Sequence, residues 1–151
     1  MEAKVYTEMR ELFTEYLTER KLRKTEERYT IFKEICDFPG HFDVSALSEK
    51  LERNNFHVSK ATLYNTLDVL VDAGLVVRHQ WNAQPVQYEL RIYAETHAHL
   101  ICRKCGMIRE LRNGAFTASA RGMKISRFTP EYYCLYIYGI CSKCRFKERE
   151  S

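Results

Sequence analysis

The chain has 151 residues, 45% hydrophobic and 29% charged, which is the balance of a soluble globular protein with room for one ordinary domain or two small ones. No run is long and apolar enough to cross a bilayer, and the opening MEAKVYTEMRELF carries acids where a secretion signal has an apolar core, so the expected location is the cytoplasm. The net charge of +4 is unevenly spread: residues 1–82 hold 12 basic against 14 acidic side chains and residues 83–151 hold 12 against 6, so any DNA contact in the first half must rest on local clusters.

In chain order, VYTEMRELFTEYLTERK predicts a helix with Val5, Met9, Leu12 and Tyr16 as its apolar stripe and Arg20 and Lys21 in a basic last turn. Thr25 caps a second helix, with Glu26 and Glu27 at the positive end of its dipole and Ile31, Phe32 and Ile35 on its buried face. Pro39 and Gly40 break it, and Asp43 caps a third helix with Val44, Leu47 and Leu51 on one side. Ser59 caps KATLYNTLDVLVDAG, whose apolar face is Leu63, Leu67, Leu70 and Val71 and whose stop is Gly74. LVVRHQW and PVQYELRIY are β-rich runs joined by the turn NAQP, a hairpin. This order describes a winged helix-turn-helix with the 59–73 segment as the groove-reading helix. Beyond it, HAHLICRKCGMIREL reads as strand, knuckle turn and strand, NGAFTASARGMKISRF as a short helix with loops, EYYCLYIYGIC as a strand and RFKERES as a solvated tail. The aromatic, β-branched strands suit a sheet that pairs with a second copy.

Three short helices and a hairpin also build protein-binding modules, and the front of the fourth helix argues for DNA. Lys60, Thr62, Tyr64 and Asn65 stand where recognition helices read bases, with Asp68 and Asp72 further along, and Arg23, Lys24 and Arg28 form a cluster suited to phosphates. In a reducing compartment Cys36, Cys102, Cys105, Cys134, Cys141 and Cys144 read as thiols or ligands and not as disulfides. Cys102 and Cys105 form one C-x-x-C and Cys141 and Cys144 another, with 35 residues between them, a pattern that fits a closed, structural tetrahedral zinc site. An iron–sulfur cluster and a dithiol switch are its rivals. Cys36 and Cys134 read as small buried residues. His97 and His99, two apart in a strand, point to the same side and can share an ion, with Glu89, Glu95 and Glu110 as candidate carboxylates. Such nitrogen and oxygen donors favour ferrous iron, manganese or zinc over cuprous copper.

The stretches SKATLYNTLDVLVDAGLVVRH, QYEL, HAHLICRKCG and YIYGICSKC resemble the ferric uptake regulator family, in the right order over nearly the whole chain. The resemblance implies an α+β homodimer, an N-terminal winged helix-turn-helix domain followed by a small α/β dimerisation domain with a structural zinc site. Residues 1–84 would form the DNA-binding domain, 85–92 the hinge and 93–151 the dimerisation and metal-binding domain. It implies His41, Glu89, His97, His99 and Glu110 as ligands of a regulatory metal, Cys102, Cys105, Cys141 and Cys144 as those of zinc, and Arg28 and Tyr64 as DNA contacts. Thr96, Ala98 and Tyr133 stand where members with a further metal site carry ligands, which implies that this site is missing.

The expected function is therefore a repressor of metal homeostasis genes that binds a palindromic operator with Fe2+ as corepressor. A zinc- or manganese-sensing branch, a peroxide sensor and a thiol redox switch are the alternatives. Glu110 leans towards iron sensing, because the peroxide-sensing branch typically has aspartate there. No enzyme and no small organic substrate are expected, because the chain offers no nucleophile set beside a base.

Overall fold

Short polar side chains start the second, third and fourth helices. In this computed structural model, residues 1–81, 85–112 and 114–150 are described, with backbone alone for 148–150; the expected NAQP turn falls, but for Pro85, outside them. Thr25 Oγ1 accepts from the Arg28 amide ahead of α2 (Glu26–Cys36), Asp43 Oδ1 from the Ala46 amide ahead of α3 (Val44–Arg53), and Ser59 Oγ from the Thr62 amide ahead of α4 (Lys60–Asp72). Each removes one of the amides that a helix start leaves without a partner. The ends are also alike. After α4, Gly74 adopts φ +74° and the amides of Gly74 and Leu75 return to the carbonyls of Val71 and Leu70. Asn55 closes α3 in the same way, and Lys21 closes α1 (Ala3–Glu19).

The chain divides into two compact units, Met1–His79 with Val86–Arg91, and Gln80–Pro85 with Ile92–Ser151. The core of the first is Phe13, Leu17, Phe32, Ile35, Leu47 and Leu67, all without solvent exposure. The buried stripe of α1 differs from the expected Val5, Met9, Leu12 and Tyr16. Its buried residues are Met9, Phe13 and Leu17, whereas Leu12 is 50% exposed. The stripe is rotated because Phe13 packs on Phe32 and Tyr29, with ring centroids 5.3 and 5.6 Å away, and an aromatic ring buries more apolar area than a leucine. The expected basic last turn is also absent: Arg20 is the cap and Lys21 the left-handed residue beyond it. On α4, Thr66 and Val69 join the buried face and Val71 is only half-buried.

The hairpin pairs β1 (Val76–His79) with β2 (Gln87–Leu90), antiparallel. A bridge between Phe42 and Tyr88 adds the chain ahead of α3 to its other edge, through reciprocal bonds of 2.9 and 2.8 Å. Four helices and a three-membered β wing make this unit a winged helix. The run PVQYELRIY does not continue as a strand, because the last ladder bond is Arg91 N–H to the Leu75 carbonyl and Arg91–Ala94 turns into a short helix, α5.

The second unit holds a three-stranded sheet in the order β4-β3-β5, with β3 (Ala98–Cys102) antiparallel to β4 (Ile108–Leu111) and parallel to β5 (Leu135–Gly139). The parallel pairing needs a crossover, which α6 (Gly114–Gly122) supplies. The strand expected over EYYCLYIYGIC is confined to Leu135–Gly139, the length its five-residue neighbour can pair. RFKERES is not an open tail either. Ser142–Glu150 forms α7, a run of Lys, Arg and Glu that are all good helix formers.

The rotated stripe on α1 has a direct consequence: Phe13→Ala should cost about 3–5 kcal/mol and Leu12→Ala less than about 0.5 kcal/mol, read from urea unfolding. Equal losses would restore the stripe read from the sequence.

Candidate metal centres and nucleic-acid interface

Antiparallel partners point to the same side of a sheet, and this places the first group of donors. Because Phe42 pairs with Tyr88, His41 stands opposite Glu89, and because Val77 also pairs with Glu89, His79 lies one step diagonally along the same face. The distances agree with this placement. His79 Nε2 is 2.6 Å from Glu89 Oε1, with both side chains fully buried, and His41 Nε2 is 3.8 Å from Glu89 Oε2. The rings of His41 and His79 stand at 80° with centroids 6.0 Å apart. A buried carboxylate on this scale is tolerated only with charge-assisted partners; removing one from such a pair typically costs about 3–5 kcal/mol.

The second unit gathers another group by the same rule. His99 in β3 pairs with Glu110 in β4, and His97 precedes the strand on the same side. The two imidazoles bring their Nε2 atoms to 3.1 Å, and His97 Nε2 is 3.6 Å from Glu110 Oε1. Both histidines are buried, whereas the Glu110 side chain is 34% exposed. Trp81 lies against His99 with ring planes tilted by 39° and centroids 4.9 Å apart, and it meets Tyr136 edge-on at 5.6 Å, so an aromatic wall shields one side of the pair.

The four knuckle cysteines converge, their sulfurs all within 4.8 Å of one another. Gly106, at φ +75°, makes the first knuckle possible, with its amide returning to the Cys102 carbonyl. Backbone amides of Cys105 and Cys141 point at the Cys102 sulfur and pull its thiol down to about 6; the Cys144 amide lowers that of Cys141. Cys144 is pushed up to about 12, first by its contact with Cys141 and then by burial. Four sulfurs this close cannot all carry charge without a cation. Tetrahedral zinc with bonds of ~2.3 Å needs sulfurs ~3.8 Å apart, and Cys105 and Cys141 are 3.7 Å apart. Cys36 is different: burial, then the Asp37 carboxylate, pushes its thiol up from 9.0 to about 12.

The third group is on the surface of the winged helix. Lys60, Tyr64 and Asn65 are exposed on the first two turns of α4, Tyr64 by 50%, and Thr62 is half-buried beside the cap. Arg23 and Lys24 are exposed at the entry to α2, and Arg28 reaches back to donate to the Arg23 carbonyl at 2.7 Å.

Sequence reasoning does not single out His79 and Trp81. Both lie in RHQW, beside the hairpin turn, and whether His79 shares a face with Glu89 depends on register. A turn centred on residues 82–85 would pair Arg78 with Glu89 and send His79 to the other side. The observed pairing is shifted by one.

A capped helix beside a β wing, joined in one chain to a unit with clustered sulfurs and imidazoles, is the build of a DNA-binding regulator with metal-binding chemistry. The ferric uptake regulator family model matches residues 19–134. The ferric uptake regulation protein of Rhizobium leguminosarum is 33% identical, over 71% of this chain and 75% of its own. The peroxide operon regulator of Bacillus subtilis is 28% identical, over 89% and 92%. The solved ferric uptake regulator of Francisella tularensis with iron is 28% identical, with a TM-score of 0.57 over 82% of this chain and 95% of that one. The chain belongs to the ferric uptake regulator family. It is a transcription regulator and not an enzyme. Among the described residues, no helix is long and apolar enough to cross a membrane.

The raised Cys36 thiol sets a pH window. A thiol that ionises at 9.0 when unfolded and at about 12 when folded leaves stability intact below 9.0 and erodes it between those values. Alkaline unfolding should therefore be less steep in Cys36→Ala over that range. Iodoacetamide at pH 8, followed by peptide mapping, should leave Cys36 unmodified in folded protein.

Proposed function

We propose that this protein is a metal-dependent repressor, a homodimer in the cytoplasm that binds a palindromic operator when a divalent ion, ferrous iron first among the candidates, occupies a regulatory site. The proposed regulatory ligands are His41 and Glu89 from the first unit and His97, His99 and Glu110 from the second. One observation carries the reading: two buried imidazoles, 3.1 Å apart at their Nε2 atoms with a carboxylate 3.6 Å from His97 Nε2, a grouping whose ring nitrogens and carboxylate oxygen can share one cation. All donors are nitrogen or oxygen, which suits Fe2+, Mn2+ or Zn2+. Cys102, Cys105, Cys141 and Cys144 are the proposed holders of a structural zinc, supported by their spacing and by amides aimed at the sulfurs.

When bound, the regulatory ion would supply the positive charge that the imidazole and carboxylate donors lack. The residues do the rest. Imidazoles and carboxylates that are already buried and oriented lose little freedom on ligation, and the aromatic wall of Trp81 and Tyr136 keeps water from His99. To carry a balanced equilibrium to a nearly complete shift, the ligands must favour the DNA-competent arrangement on the order of 100-fold. Two recognition helices of a dimer then meet successive major grooves, ~34 Å apart. Lys60, Thr62, Tyr64 and Asn65 face base edges, and Arg23 and Arg28 face phosphates.

Peroxide sensing is the second reading, favoured by the peroxide operon regulator among the relatives. Treating iron-loaded protein with peroxide and mapping oxygen onto the His97–His99 peptide separates the two.

His97→Ala should weaken metal-dependent operator binding at least about 10-fold with dimer and zinc content unchanged, read by DNA-binding titration against Fe2+, Mn2+ and Zn2+ under anaerobic conditions. Unchanged metal dependence would refute the regulatory assignment. Cys102→Ser has a different outcome: about one equivalent of zinc lost per chain, with the second unit destabilised, read by elemental analysis and thermal melting.

A further inference from the structure

Glu89 is a fully buried carboxylate whose two oxygens face different groups. Oε1 lies 2.6 Å from His79 Nε2 and Oε2 lies 3.8 Å from His41 Nε2. The last torsion of a glutamate is broad, so an unrestrained carboxylate would present either oxygen or both to a cation. At 2.6 Å, between two groups with no solvent exposure, the imidazole N–H donates a short charge-assisted bond that holds that torsion still. Register explains why the pair forms here: Val77 opposite Glu89 and His79 opposite Gln87 place His79 and Glu89 diagonally on one face of the wing.

We infer that His79 is a positioning residue of the regulatory site. It holds Oε1 of Glu89, so that Oε2, on the side of His41, is the oxygen that meets a divalent cation. Glu89 then ligates through one oxygen, already aimed, and the cost of ordering it has been met in folding. His79 is assigned no bond to the ion. This rests on the reading of Glu89 as a ligand, and the experiment keeps the two apart.

Mn2+ serves as the probe, titrated calorimetrically into the full-length protein, with sulfur-site zinc content and melting midpoint measured in parallel. His79→Leu should bind Mn2+ about 10- to 100-fold more weakly at normal zinc content. His79→Gln, whose amide N–H can still donate to Oε1, should recover most of that loss. Were His79→Leu to fail to fold, His79→Asn, with an amide too short to reach Oε1, takes its place and carries the same expectation. In a Glu89→Ala background, either substitution should change affinity by less than about twofold, because the group it positions is gone. Weak binding in Glu89→Ala with wild-type binding in His79→Leu would overturn the positioning role and leave the ligand reading standing. Unchanged binding in Glu89→Ala would remove both. A His79→Gln variant as weak as His79→Leu would also overturn the inference, because a donated bond would not be what matters.

Discussion

Antiparallel pairing sends cross-strand partners to the same side of a sheet, and every imidazole–carboxylate contact described in this protein is a consequence of it. Phe42 on Tyr88 sets His41 opposite Glu89, Val77 on Glu89 brings His79 alongside, and His99 on Glu110 completes the group in the second unit. The bond-forming backbone groups are spread over short ladders of four or five residues. A slip of one residue in any of them would send a donor to the opposite face and dismantle the group. The aromatic stacking of Phe38, Phe42 and Tyr88, with centroids 4.7 and 6.0 Å apart, resists such a slip at the point where His41 enters.

The two donor sets differ in how they are built and therefore in what they can do. The sulfurs sit on tight local turns, with two residues between them in each knuckle, and are held by backbone amides that stabilise thiolate. Such a set is closed and suits a permanent ion. The imidazole and carboxylate groups come from distant points in the chain and rest on sheet register and on buried neighbours. Any ion they held would bind with an affinity set by tertiary arrangement, which is the dependence a switch requires, because ligand binding can shift an equilibrium only through different affinity for its two states.

Sequence signals are legible where the physics is local. Thr25, Asp43 and Ser59 are recognisable as caps from their residue type and from the helix-forming run after each, and each accepts the expected amide. The two C-x-x-C knuckles are legible as a group for the same reason, since a two-residue spacer brings sulfurs together whatever surrounds it. The α1 stripe misleads because Leu12 and Phe13 are both apolar and adjacent, and only the rings of Tyr29 and Phe32, supplied by another helix, decide which one turns inward. The terminal RFKERES looks solvated by charge alone, yet its residues are strong helix formers and Cys141 provides a starting point, with the Arg145 amide returning to the Cys141 carbonyl.

Taken by itself, the sequence determined the first four helices and the five strands in order, the caps that start the second, third and fourth helices, the pairing of cysteines into knuckles and the family to which the chain belongs. These are short-range properties, written in residue type and spacing within about a dozen positions. Only the tertiary structure decided that His79 faces Glu89, that Trp81 and Tyr136 wall in His99, and that Glu89 is fully buried. The reason is register. Side chains alternate with a period of two, the length of a turn sets which alternation applies, and residue type around a loop does not fix a pairing that distant packing completes.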